Sequence, residues 1–152
     1  MNIEDRETST ERPVSTHSVR PRVRILLADD SPDFRRQAAR YLAAEPGFEI
    51  VAFAASGPEA LEKAEQFKPD VILMDLSMPG MNGFEATRRI KARADAPRVV
   101  IMTLNGGAPY RVFSEAALAD GFLSKAEFVE DARTLIRNLF PGSAAASPEN
   151  RG

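Results

Sequence analysis

The chain has 152 residues, enough for one domain with a single sizeable core. Its 22 acidic and 20 basic residues leave a formal charge of -2, which excludes a general electrostatic pull toward nucleic acid or an anionic membrane. There is no cysteine, so disulfides, thiolate chemistry and zinc-thiolate sites are excluded.

In chain order, residues 1–21 are polar and rich in Glu, Arg, Ser and Thr, with Pro13 and Pro21 interrupting any periodicity. They are expected to form a disordered arm, in which His17 is a solvated residue. The opening MNIEDRETST lacks a signal-peptide core and no apolar run reaches the length of a membrane span. A reducing, cytoplasmic setting is therefore expected.

Val23 to Ala28 reads as the first strand. A helix should follow, capped by Ser31 with Pro32 at its first position, and with Phe34, Ala38, Tyr41 and Leu42 on one face. Ile50 to Ala54 is the second strand, and Ser56 caps a helix presenting Ala60, Leu61, Ala64 and Phe67. Val71 to Leu76 is the third strand, Phe84 to Ala94 a helix with a weak apolar face, and Val99 to Met102 the fourth strand. A helix from Pro109 to Ala119 and a short fifth strand, Phe122 to Leu123, come next. The last helix carries a continuous stripe of Phe128, Ala132, Leu135, Ile136, Leu139 and Phe140. Residues 141–152 are expected to be a disordered tail, leaving one domain over 22–140.

Strands alternating with helices predict an α/β fold, a doubly wound five-stranded parallel sheet with helices on both faces. The near-continuous apolar strands agree, because both of their faces must be covered. The strand order 2-1-3-4-5 is taken over as an expectation from flavodoxin-like sheets, where ligands sit outside the carboxyl ends of the strands.

The polar residues gather at that edge. Asp29 and Asp30 end strand one, Asp75 ends strand three, Thr103 ends strand four and Lys125 follows strand five. Two carboxylates about 5 Å apart repel by about 3 kcal/mol at an effective dielectric near 20. Three of them need a cation or must take up protons. With no cysteine and the single histidine in the arm, the ligands on offer are hard oxygens, which suit Mg²⁺ or Mn²⁺. An aspartate beside a divalent ion, a lysine and a hydroxyl is equipped to accept a phosphoryl group as a nucleophile.

The blocks ADD (28–30), MDLSMPGMNG (74–83), MT (102–103) and GFLSK (121–125) resemble the receiver domain of two-component response regulators, in both order and spacing, over nearly all of 22–140. The resemblance implies Asp75 as phosphoacceptor and Asp30 and Asp75 as direct Mg²⁺ ligands. It further implies that Asp29 helps to hold the metal or its waters, and that the backbone carbonyl of Ser77 is the third protein ligand. Phe122 falls where the family carries an aromatic switch residue, although it is also suited to be plain core. The implied partners are a sensor histidine kinase or a histidine phosphotransfer protein, and a downstream protein.

Some positions depart from the family pattern. Leu104 stands where a small residue is usual, and its side chain is expected to overhang the mouth of the site unless it turns away to cover the neighbouring helix. Ala126 stands where many receivers have proline. Ser77 and Asn105 occupy positions that in the family adjust hydrolysis of the acyl phosphate. Asn105-Gly106-Gly107 lacks the Lys-Ser/Thr of a phosphate-cradling loop and reads as a flexible connection.

Other functions fit less well. An aspartate-nucleophile phosphatase of the haloacid dehalogenase type pairs Asp-x-Asp, whereas Asp75-Leu76-Ser77 lacks the second acid. A flavodoxin-like cofactor binder needs a Ser/Thr/Gly-rich first loop, and here that loop is acidic. Arg20 to Arg24 is too short a basic run to signal nucleic-acid binding, and residues 141–152 are too few for a helix-turn-helix. The sequence therefore predicts a stand-alone receiver without direct DNA binding, acting through phosphorylation-controlled protein contacts.

Overall fold

Val23–Ala28 forms strand β1, buried along nearly its whole length. The chain is described by a computed structural model over residues 22–104 and 118–143. Helix α1 runs Pro32–Ala43, with the Ser31 hydroxyl accepting from the Phe34 amide. Strand β2 is Phe48–Ala54 and helix α2 is Gly57–Phe67, capped by Ser56 through the Glu59 amide. Strand β3 is Val71–Asp75 and helix α3 is Gly83–Lys91, capped by Asn82. Strand β4 is Arg98–Thr103 and strand β5 is Gly121–Ser124. A 3₁₀ turn at Lys125–Glu127 leads into helix α4, Phe128–Leu139.

The five strands pair in parallel in the order β2-β1-β3-β4-β5, as expected. Val23, Ile25 and Leu27 of β1 pack on one side with Leu42 of α1 and Phe128, Ala132 and Ile136 of α4. Leu26 and Ala28 pack on the other with Ala60 and Ala64 of α2 and Ala86 and Ile90 of α3. The period of two in the strand thus feeds two separate cores, which is why these strands read as unbroken apolar runs.

Element ends differ in detail. β2 begins at Phe48 and not Ile50, because Phe48 pairs with Val23 and is buried at the strand's first position. β3 ends at Asp75, although the Leu76 amide still donates to the Met102 carbonyl. α3 starts at Gly83 and stops at Lys91, because the Asn82 side chain caps its first turn and the Ala92 and Arg93 amides close its last. β4 and β5 each extend one residue past their expected bounds at both ends. The arm over 1–21 with His17, the Asn105-Gly106-Gly107 connection, all but the last two residues of the helix expected at Pro109–Ala119, and the tail beyond Ser143 lie outside the described residues. Residues 141–143 form a turn in which the Ser143 amide donates to the Phe140 carbonyl.

The amino edge of the sheet is stitched by carboxylates that are fully used. Asp120, just before β5, accepts from Lys91 Nζ and from the Val99 amide, both at 2.8 Å, and from Arg98 at 3.2 Å. Burial alone would raise its pKa, but Lys91, the Val99 amide and Arg98 together hold it below the usual carboxylate value. A carboxyl whose folded pKa is depressed stabilises the fold above its unfolded value and loses that contribution as pH falls through the folded one. Asp120→Ala should therefore cost about 1.5–3 kcal/mol near neutral pH. In urea unfolding, the gap to wild type should start to close near pH 4 and vanish at lower pH.

Candidate functional site

The parallel sheet opens all five strand ends on the same side, and the polar residues meet there. Asp29 follows β1 and is fully buried. Its amide donates to the Ala54 carbonyl of β2, and its Oδ1 accepts from the Ser31 amide at 2.8 Å. Asp30, the next residue, is exposed. Asp75 ends β3 and is buried, and its Oδ1 accepts from the Ser77 amide at 3.3 Å. Carboxylate oxygens of Asp29, Asp30 and Asp75 all lie within 4.8 Å of one another.

Lys125, the first residue after β5, reaches into this cluster. Its Nζ stands 2.5 Å from Asp29 Oδ2 and 3.2 Å from Asp75 Oδ1. The ammonium also lies 4.7 Å from the centre of the Phe34 ring, which packs edge-on against Phe128. A ring face beneath a cation is a favourable seat worth about 0.5–2 kcal/mol. Burial works against the charge on Lys125, but Asp29 and then Asp75 outweigh it and raise its pKa. Burial, followed by the charge of Asp29, pushes the Asp75 carboxyl up, with Lys125 opposing. The lysine offsets part of the crowding and leaves the cluster acidic. Three hard-oxygen carboxylates this close, with no soft donor among them, fit Mg²⁺ or Mn²⁺.

Thr103, the last residue of β4, is buried in register with Ser124 of β5. Ser77 is exposed on the loop after Asp75. Phe122 lies in register with Ile101 and is partly buried. Leu104, immediately after Thr103, is 72% exposed, so it does not serve as core. Ala126 sits in the 3₁₀ turn, with no cis peptide bond among the described residues. Two side chains at the site escaped the sequence reading. Phe34 belongs to the apolar face of α1, and its place under Lys125 is set by the fold. Arg35 donates to the Asp29 carbonyl at 2.6 Å. The available signal for Arg35 was a basic residue near a helix amino end, where the dipole disfavours it.

The loop from Leu76 to Asn82 returns tightly to the site. The Gly83 amide donates to the Leu76 carbonyl at 2.9 Å, and Gly80 takes the left-handed φ of 76° that favours glycine. A Cβ on Gly83 would lie 2.4 Å from the Asp75 carbonyl oxygen and 2.9 Å from Leu76 Cα.

A five-stranded parallel sheet in this order, with its acidic cluster and lysine outside the carboxyl ends of the strands, is a doubly wound fold of the flavodoxin-like class with its polar site where such folds bind ligands. Residues 25–137 match the family model of the response regulator receiver domain, and the chain belongs to that family. It is 36% identical over 127 residues to the response regulator GacA of Pseudomonas viridiflava, covering 84% of this chain and 59% of that protein. It is 44% identical over 98 residues to protein-glutamate methylesterase/protein-glutamine glutaminase 2 of Anaeromyxobacter dehalogenans, covering 63% of this chain and 28% of that one. The chain thus spans less than two thirds of the length of these relatives. Among solved structures, a LuxR-family two-component response regulator from Aurantimonas sp. SI85-9A1 superposes with a TM-score of 0.74 at 33% identity, covering 78% of this chain and 84% of that one. The response regulator domain of Thermotoga maritima CheB gives 0.70 at 32%, covering 80% and 96%. Receiver domains are signalling modules phosphorylated by histidine kinases, and they bind Mg²⁺ at an acidic pocket. Among the described residues, no helix is long and apolar enough to cross a membrane.

The close approach at Gly83 has a direct consequence. Gly83→Ala must push the backbone of Asp75 or the start of α3 aside, at a cost of about 1–3 kcal/mol. Chemical denaturation should show that loss as a lower midpoint with an unchanged slope.

Proposed function

We propose that this chain is a Mg²⁺-dependent phosphoacceptor in two-component or phosphorelay signalling, with Asp75 as the residue that carries the phosphoryl group. The observation that carries this reading is the trio of Asp29, Asp30 and Asp75 oxygens within 4.8 Å, with Lys125 Nζ 3.2 Å from Asp75. A carboxylate oxygen of Asp75 attacks phosphorus in line. The bond from phosphorus to the imidazole nitrogen of a phosphohistidine donor breaks, the imidazole leaves with the electron pair, and an aspartyl-phosphate remains. Lys125 steadies the equatorial oxygens from one side, and the Thr103 hydroxyl donates to one of them. Asp30, Asp75 and the Ser77 carbonyl would hold the metal, with Asp29 holding it or its waters. When bound, the ion supplies positive charge that offsets the carboxylates and the incoming phosphoryl group.

Output follows as a shift in a two-state element. Drawing Thr103 toward the phosphoryl group opens space into which Phe122 turns, which changes the surface that includes β5 and α4 and so its affinity for a partner protein. The partners proposed are a sensor histidine kinase or histidine phosphotransfer protein upstream and a protein target downstream, in the cytoplasm. The module transfers phosphate to itself and releases it slowly, and it is not proposed as an enzyme acting on other substrates.

Intact-mass spectrometry after treatment with acetyl phosphate should show one added phosphoryl group on wild type, dependent on Mg²⁺ or Mn²⁺, and none on Asp75→Ala. Equal labelling of both proteins would reject Asp75. NMR spectra of the same pair with beryllofluoride, a phosphoryl mimic, should show shifts reaching Phe122 in wild type alone. Shifts confined to the acidic cluster would remove the switching step.

Leu104 provides a separate kinetic expectation. An exposed apolar side chain beside Thr103 hinders both the donor and the water that later attacks. Leu104→Ala should speed both labelling and loss of phosphate, with Mg²⁺ affinity nearly unchanged. Rates within a factor of about two, roughly 0.4 kcal/mol of barrier, would mean that it is not a gate.

A further inference from the structure

The acidic turn is held from α1 by one side chain that carries no part of the chemistry above. Arg35, in the first turns of α1, reaches back so that its guanidinium donates to the Asp29 carbonyl at 2.6 Å. That carbonyl belongs to the peptide joining Asp29 to Asp30. Because the peptide is planar, its orientation places the Asp30 nitrogen and Cα, the points from which the Asp30 side chain starts.

The rest of Asp29 is tied elsewhere. Its amide goes to Ala54 of β2, its Oδ1 to the Ser31 amide and its Oδ2 to Lys125. The Oδ1 contact arches over the Asp29–Asp30 peptide to Ser31, Arg35 holds that peptide's own carbonyl, and Asp30 itself is exposed. We infer that Arg35 is a positioning residue that locks the Asp29–Asp30 peptide plane and thereby aims the Asp30 carboxylate at the metal. This rests on the functional reading above, in which Asp30 is a ligand.

Two effects of Arg35 oppose each other, which makes the inference decidable. As a charge, the guanidinium repels an arriving cation. It is close enough to Glu59 of α2 to add to the depression of that carboxyl, behind the Ala55 amide and Lys63. If charge were its whole influence, removing it would tighten Mg²⁺ binding. As a hydrogen-bond donor to the ligand-bearing peptide, it pre-orders the site, and removing it would weaken binding. Partners that orient metal ligands typically matter by about 10–100-fold in affinity. The lower end applies here, because Arg35 grips backbone and not the ligand atom.

The experiment is a Mg²⁺ titration of the full chain followed by NMR or calorimetry, with thermal melts in the absence of metal to confirm folding. Arg35→Gln and Arg35→Ala should each weaken Mg²⁺ binding on the order of tenfold. If Arg35→Ala does not fold, the milder Arg35→Gln carries the test. Affinity equal to or tighter than wild type in the folded variants overturns the inference while leaving the functional reading intact. Failure of wild type to bind Mg²⁺ at all overturns both. Action through Asp30 is read by repeating Arg35→Gln in an Asp30→Asn background, where the Arg35 substitution should leave the residual affinity unchanged. The same tenfold loss in that background shows a general loosening of the turn and overturns the positioning role.

Discussion

Three carboxylates forced together at the carboxyl edge of a parallel sheet are the constraint on which the rest of this structure depends. Like charges at this spacing repel by several kcal/mol per pair even at a generous effective dielectric, so the fold must supply opposite charge or leave a place for it. Lys125 supplies one charge, bridging Asp29 and Asp75 and resting on the ring of Phe34. One ammonium against three carboxylates leaves the cluster acidic, which is the property that draws a cation to it.

The opposite edge of the sheet shows the contrast. Asp70 accepts from the Arg24 amide at 2.8 Å, and Asp120 is shared by Lys91, Arg98 and the Val99 amide. There each carboxylate is met by donors that consume it, and the result is a fastened strand end. At the carboxyl edge three carboxylates gather around a single ammonium, Lys125. That difference in saturation, more than the presence of acidic residues, separates a site from a structural clasp.

Much of this was legible in the residues. Apart from Arg24 and the terminal Asp75, VRILLA and VILMD are apolar on both faces, so a covered parallel sheet followed directly. Ser31-Pro32 and Ser56-Gly57-Pro58 announced two helix starts through hydroxyl caps and a proline whose missing N–H costs nothing there. Strand ends were less legible: Phe48 joins β2 because Val23 is there to pair with it, a partner 25 positions earlier in the sequence. The early end of α3 at Lys91 likewise follows from its cap geometry and not from helix propensity.

The sequence by itself determined that Asp29, Asp30, Asp75, Thr103 and Lys125 stand at the ends of apolar runs. In a parallel sheet they must therefore share one edge, because every strand points the same way. It also determined the family, since the four motif blocks keep their order and spacing. Only the tertiary structure decided which acid is buried and which is open, that Lys125 touches Asp29 and Asp75 together, and that Phe34 seats the ammonium. It alone showed Arg35 gripping the peptide that carries Asp30. Periodicity reports which face a residue lies on. It carries no information on how far a side chain reaches across to another element, and the site is made of those reaches.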